Sequence, residues 1–96
     1  MYARVTNIRF SPELGAEVVA AAQGLARVLK EHRGFNGLQV LTDQDVGRGI
    51  IVSFWETEAD AEASEASSSY IGQMSMMSSF LYEFLRSETY EVAVQA

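Results

Sequence analysis

The chain has no cysteine, and only one histidine, one proline and one tryptophan, in 96 residues. Without cysteine there is no disulfide framework, no thiolate nucleophile and no thiolate metal site. With His32 alone, one chain cannot build a two-histidine zinc site or a two-histidine redox centre. Basic residues are scarce as well, seven against thirteen acidic ones, for a net charge of −6. The shortage is uneven. Residues 1–48 carry six basic and five acidic groups, whereas residues 49–96 carry one and eight. No basic stripe exists to neutralise phosphates, which argues against a nucleic-acid partner. No polybasic patch exists to hold an anionic membrane surface. The apolar runs are far shorter than the roughly 20 residues of a membrane-spanning helix. The first residues enter a strand pattern directly, with no charged segment followed by an apolar one, so the expected location is the cytoplasm.

What is present is enough for a fold. The chain is 48% hydrophobic and 10% aromatic, too apolar for a disordered segment. Its length predicts a single domain over residues 1–96.

Residues 2–10 read as a strand of aromatic and β-branched residues without Gly or Pro. Alternation sends Tyr2, Arg4, Thr6, Ile8 and Phe10 to one face, and Ala3, Val5, Asn7 and Arg9 to the other. Ser11-Pro12-Glu13 predicts a helix start, with Ser11 as cap and Pro12 in the first turn. An apolar stripe runs from Leu14 through Val18, Ala21/Ala22, Leu25 and Val28/Leu29. Arg27, Lys30 and Arg33 gather at the far end, and Gly34 is a suitable terminator, so the helix is expected over 12–33. Residues 37–42 and 50–55 read as strands, joined through the Gly- and Asp-rich turn 43–49 into a hairpin. Thr57-Glu-Ala-Asp60 has the form of a capping box and predicts a second helix. Ser67-Ser-Ser69 is expected to end or weaken it. Ile71, Met74, Met77/Phe80 and Leu81/Phe84 keep helical spacing through a Ser- and Gly-rich stretch, which predicts one or two short helices with a break near Ser78-Ser79. Residues 88–94 read as a last strand.

The order is β-α-β-β-α-β, a ferredoxin-like α+β domain with a four-stranded antiparallel sheet. Helices on one side of such a sheet leave the other side bare, and here that side is apolar. A bare apolar sheet calls for a partner. The simplest is a second copy across a twofold axis. A homodimer follows from this argument alone.

Three segments then resemble one family. Arg33-Gly34-Phe35-Asn36-Gly37 resembles the Pro-Gly-Phe-x-Gly turn of antibiotic biosynthesis monooxygenase domains, with Arg33 in place of the proline. Leu41-Thr42-Asp43 with Gly47, Trp55-Glu56-Thr57-Glu58 and Ala63-Ser64 resemble that family's hairpin and strand end. Tyr90-Glu91-Val92 resembles its last strand. The resemblance implies a dimeric α+β barrel and, in members of understood activity, oxidation of phenolic or polycyclic aromatic compounds by O₂ without metal, flavin or other cofactor. A related branch degrades haem. Asn7 and Trp55 match that branch, but residues 57–87 contain no histidine to ligate iron, which argues against haem.

Cofactor-free oxygenation needs an electron-rich substrate anion, a dry apolar pocket and a few polar groups. Asn7, Trp55 and Tyr70 are the candidate catalytic residues; Phe54, Met74, Met77 and Tyr82 are the candidate substrate-binding residues. No metal ligands are expected. Each has a packing alternative. Trp55 can be a core or interface residue, and the methionines 74–77 can fill irregular core space. Asn7 can sit at an edge or in solvent. Arg4 and Arg9 read as surface partners of strand neighbours, with binding of an anionic substrate group as the alternative; His32 reads as a surface or helix-end residue, and the Glu-rich run 56–65 as a solvated helix face. No strong acid–base pair is visible. A dimeric barrel that binds a small molecule without catalysis, or has another role, is therefore the alternative.

Overall fold

The computed structural model describes residues 1–84 and 86–96, with Phe84 by its backbone alone. The expected packing of Phe84 therefore lies outside the described side chains. In chain order, the elements are β1 (Tyr2–Arg9), a 3-10 turn (Pro12–Leu14), α1 (Gly15–Leu29), β2 (Phe35–Asp43) and β3 (Arg48–Trp55). They continue with α2 (Glu58–Glu65), α3 (Ser68–Ser78), β4 (Glu83–Phe84) and β5 (Glu88–Glu91).

One antiparallel sheet runs β2-β3-β1 and is completed beside β1 by two short strands. β4 pairs with Ile8 and Arg9 at one end of β1, and β5 pairs with Tyr2 to Val5 at the other. The expected fourth strand is thus one sheet position shared by two pieces. This is the ferredoxin-like order, with β1 and β3 in register from Tyr2↔Trp55 to Arg9↔Arg48.

The alternation read from β1 holds. Arg4, Thr6, Ile8 and Phe10 are buried beneath the helices, while Asn7 and Arg9 are exposed on the far side. In β3 the register puts Trp55, Ser53 and Ile51 on the helix side and Phe54, Val52 and Ile50 on the bare side. The core lies between sheet, α1 and α3: Ile8, Phe10, Val18, Leu25, Leu29, Ile51, Trp55, Tyr70, Met74 and Met77 form one buried cluster.

Two helix ends differ from the expectation. Ser11 makes no capping hydrogen bond, and the first turn after it is 3-10. α1 stops at Leu29 rather than Arg33, because the N–H groups of Glu31 and His32 bond three residues back, to Val28 and Leu29. Gly34, at φ +80°, then turns the chain into β2. The second helical region follows its sequence signals. Thr57 caps α2 by accepting the Asp60 N–H at 3.0 Å. After the break, Ser67 caps α3 by accepting the Tyr70 N–H at 3.2 Å. That cap fixes where Tyr70 leaves the backbone.

Candidate functional site

A polar cluster is built into the core where β1, β3, α2 and the start of α3 meet. Its centre is Arg4, 3% exposed and the one charged residue in the buried set. β1 aims Arg4 upward because it shares a face with Thr6 and Ile8; α2 covers it. The Arg4 Nη1 donates to the Ala61 carbonyl at 2.8 Å and to the Ser64 Oγ at 2.9 Å. The Ser64 hydroxyl donates in turn to the Ala61 carbonyl at 2.8 Å. The Glu65 carboxylate lies 3.7 Å from the same nitrogen, but Glu65 is 52% exposed. Burying a guanidinium costs several kcal/mol unless it is paired and hydrogen-bonded. Both conditions are met here.

Two aromatic rings complete the setting. The Arg4 Cζ lies 4.6 Å from the Tyr70 ring centre and 5.4 Å from that of Trp55. Trp55 is 0% exposed. Its ring meets Phe35 edge-on, with centres 5.6 Å apart, and its indole N–H donates to the Ser53 Oγ at 2.9 Å. The indole therefore serves packing and holds Arg4; its one donor is spent inside the protein.

Tyr70 is 7% exposed and forms part of the floor of a cleft of about 440 Å³ between α3 and the segment leading into β5. Glu65, Met74, Arg86 and Ser87 also line it. Burial pushes the Tyr70 phenol above its usual 10.0; Arg4 pulls it down, Glu65 adds to the rise, and a hydrogen bond with Ser87 again opposes it. At neutral pH the phenol keeps its proton, and its hydrogen-bond partner Ser87 also lines the cleft. Ser87 also shares a 2.5 Å hydroxyl contact with the buried Thr6, which ties the cleft wall to β1.

The raised value sets an alkaline limit. The native state holds the Tyr70 proton more tightly than the unfolded chain. The resulting stability is complete below pH 10.0 and is lost as pH rises through the native value. Thermal melts at increasing pH are expected to show a fall in Tm above pH 10 that is smaller in Tyr70→Phe. An identical fall in both proteins would contradict the placement of Tyr70.

The structure sets Trp55 and Tyr70 against Arg4 and places Met74 and Met77 with them in the buried core, and three other candidates elsewhere. Asn7 and Phe54 belong to the bare side of the sheet. Tyr82 is exposed just before β4, its N–H bonded to the Arg9 carbonyl. Met77 is sealed in the core, and Met74 reaches both core and cleft. Arg4 is the main residue that the sequence placed wrongly: it is buried, not a surface partner. The signal was its alternation with Ile8 and Phe10. Glu65 stays exposed on the solvated helix face, as expected, with its carboxylate 3.7 Å from Arg4. His32 closes the end of α1 as expected, its Nδ1 3.0 Å from the Val28 carbonyl, and its Nε2 reaches Ser67.

A second hollow, of about 400 Å³, lies on the bare side, lined by Asn7, Arg9, Leu41, Arg48 and Ile50 among others. Among the described residues, none of the buried polar side chains lines it. Among the described residues, no three His, Asp or Glu side chains converge as a metal site, and no helix is long and apolar enough to cross a membrane.

The family model for antibiotic biosynthesis monooxygenase matches residues 1–71. The chain belongs to this family. The match covers Arg4, Trp55, Glu65 and Tyr70 and stops before most of α3 and the C-terminal strands. A search of curated protein sequences finds no match. Among solved structures, an assigned antibiotic biosynthesis monooxygenase from Bordetella bronchiseptica superposes with a TM-score of 0.83 at 15% identity, covering 97% of each chain. One from Nitrosomonas europaea gives 0.81 at 14% identity, over 96% of this chain and 89% of that one. SnoaB, a cofactor-independent oxygenase from Streptomyces nogalater, gives 0.83 at 11% identity, over 98% of this chain and 94% of that one. At these identities the superpositions establish a shared fold. In this antibiotic biosynthesis monooxygenase domain, the helix side of the sheet carries the buried polar cluster and the bare side stands open.

Proposed function

We propose that this protein binds a small phenolic aromatic molecule in the Tyr70 cleft and oxygenates it with O₂, without a cofactor, as a homodimer joined through the bare sheet faces. The observation that carries this reading is Tyr70 itself, a buried phenol kept protonated at the floor of a cleft. A protonated phenol at the edge of an open cleft is a hydrogen-bond donor to a substrate oxygen as negative charge develops there. Glu65, half-exposed at the edge of the cleft, is the proton acceptor. Met74 supplies an adaptable apolar wall, while Trp55 and Met77 belong to the buried core and not to the cleft lining. Asn7 and Phe54 act on the dimer face, and Tyr82 lies outside the cleft.

The chemistry balances without an added reductant. An activated ring methylene becomes a carbonyl, and its four electrons pass to O₂. One oxygen atom enters the product and the other leaves as water. The protein's part is to favour the substrate anion, orient it and exclude bulk water.

Aerobic incubation with a hydroxyanthrone, a phenol whose ring carries such a methylene, is expected to give O₂ uptake and a new quinone absorbance. Tyr70→Phe is expected to lower kcat by roughly tenfold to a hundredfold, the usual cost of losing one positioned donor or acid. One observation favours a second reading, binding without chemistry: the indole donor is spent on Ser53 and Tyr70 shows only an edge to the cleft. Saturable binding with no O₂ uptake across a panel of such phenols would establish that second reading and overturn the first.

A further inference from the structure

The outer side of the helix layer carries a groove of about 520 Å³ between α1 and α3, which shares no described lining residue with the Tyr70 cleft. Its floor is preformed. Gly24 leaves room for the Gln73 side chain, which lies where a Cβ on residue 24 would stand, and the Gln73 Nε2 donates to the Ala21 carbonyl at 3.2 Å. Ala20 lies exposed on the α1 side; Met76, 60% exposed, and the partly buried Phe80 form the other side.

Charge is divided along this groove. Glu17 lies in the first turn of α1 and Arg27 in the last, about 15 Å apart along the axis. Among the described residues they are the only charged ones that line the groove, and neither joins an ion pair. Each suits its own end of the helix dipole. Together they make a face that is acidic at one end, apolar in the middle and basic at the other. Such a face is complementary to itself after a half rotation.

We propose that this groove is a self-association surface, where a second copy of the chain docks with its α1 antiparallel to the first about a twofold axis near the groove's middle. Glu17 of each copy then faces Arg27 of the other. Ala20 and Gly24 let the two backbones approach, and Met76 of each copy enters the other's groove. The bare side of the sheet is the opposite face of the domain, so this contact adds to the sheet-face dimer and does not compete with it. Exposed ion pairs contribute little each, which places the contact in the weak class, absent at micromolar concentration and formed at hundreds of micromolar.

Sedimentation equilibrium of the full chain at low salt is expected to show the particle mass doubling between those two concentrations. The doubling is read from whatever species is present at micromolar concentration, so its outcome is separate from that of the sheet-face dimer. Arg27→Glu and Glu17→Arg, both at exposed positions, each turn two attractions into repulsions and are expected to raise the Kd of the doubling by roughly tenfold or more. An equal mixture of the two variants restores opposite charges at both contacts and is expected to recover the parent's association. High salt is expected to weaken it. A mass that stays constant up to hundreds of micromolar overturns the proposal. So does a doubling that neither variant weakens, or a mixture that associates no better than each variant alone.

Discussion

Trp55→Ala is expected to cost about 3–5 kcal/mol of folding stability, the range for removing a large aromatic ring from a packed core. A domain of this size has a total of about 5–15 kcal/mol, so the variant is at the margin of folding. The reasons are local. Trp55 is sealed from solvent and opposes both Tyr2 and Phe35 in the sheet register. Its loss leaves a cavity beside Phe35, removes one ring from the face of the Arg4 guanidinium, and strips the Ser53 hydroxyl of its donor. Trp55→Phe keeps a ring and is expected to cost far less. Urea denaturation followed by circular dichroism measures both. A loss below about 1 kcal/mol in Trp55→Ala would mean that the ring is not packed as described.

Val52→Asp is expected to convert the proposed homodimer to a folded monomer. Val52 lies at the middle of the bare sheet side, in register with Val5 on one side and Gln39 on the other. Phe54 and Ile50 share its strand face, and Leu41 lies exposed across from Ile50. A twofold contact through this face buries Val52 of both copies, so one substitution places two unpaired charges in one apolar interface. Each costs several kcal/mol, which raises Kd by about a thousandfold or more. Sedimentation equilibrium is expected to show a dimer for the parent chain and a monomer for Val52→Asp, with unchanged circular dichroism. A monomeric parent chain at micromolar concentration would remove the dimer from the account.

The fold was legible in the sequence because its signals were local. Period-two alternation in β1 divided Ile8 and Phe10 from Asn7 and Arg9, and serines 67–69 marked the α2–α3 break through their capping chemistry. The site was legible only in part. Trp55, Tyr70 and Met74 stand together, but Asn7 could join Trp55 in a pocket only if both shared a sheet face. Their register partners, Ile50 and Tyr2, show that they do not. Arg4 escaped because composition makes an isolated cation in a strand look solvated. Its burial depends on where α2 crosses the sheet, a tertiary fact with no local signature. The pairing of Glu65 with Arg4, 61 positions away in sequence, was hidden for the same reason. The division of the fourth sheet position between β4 and β5 likewise depends on how each pairs with β1.

The four methionines provide the most direct test of where the ligand goes. Met74 lines the Tyr70 cleft, Met76 lines the groove between α1 and α3, Met77 is sealed in the core, and Met1 lies beside β5, its carbonyl accepting the Val92 N–H. With methionine methyl groups labelled with carbon-13, each reports its own region by NMR during titration with para-nitrophenol. The account predicts a saturable shift centred on Met74, with Met76 and Met1 unmoved. Shifts confined to Met76 or Met1, or no shift at saturating probe, would contradict it.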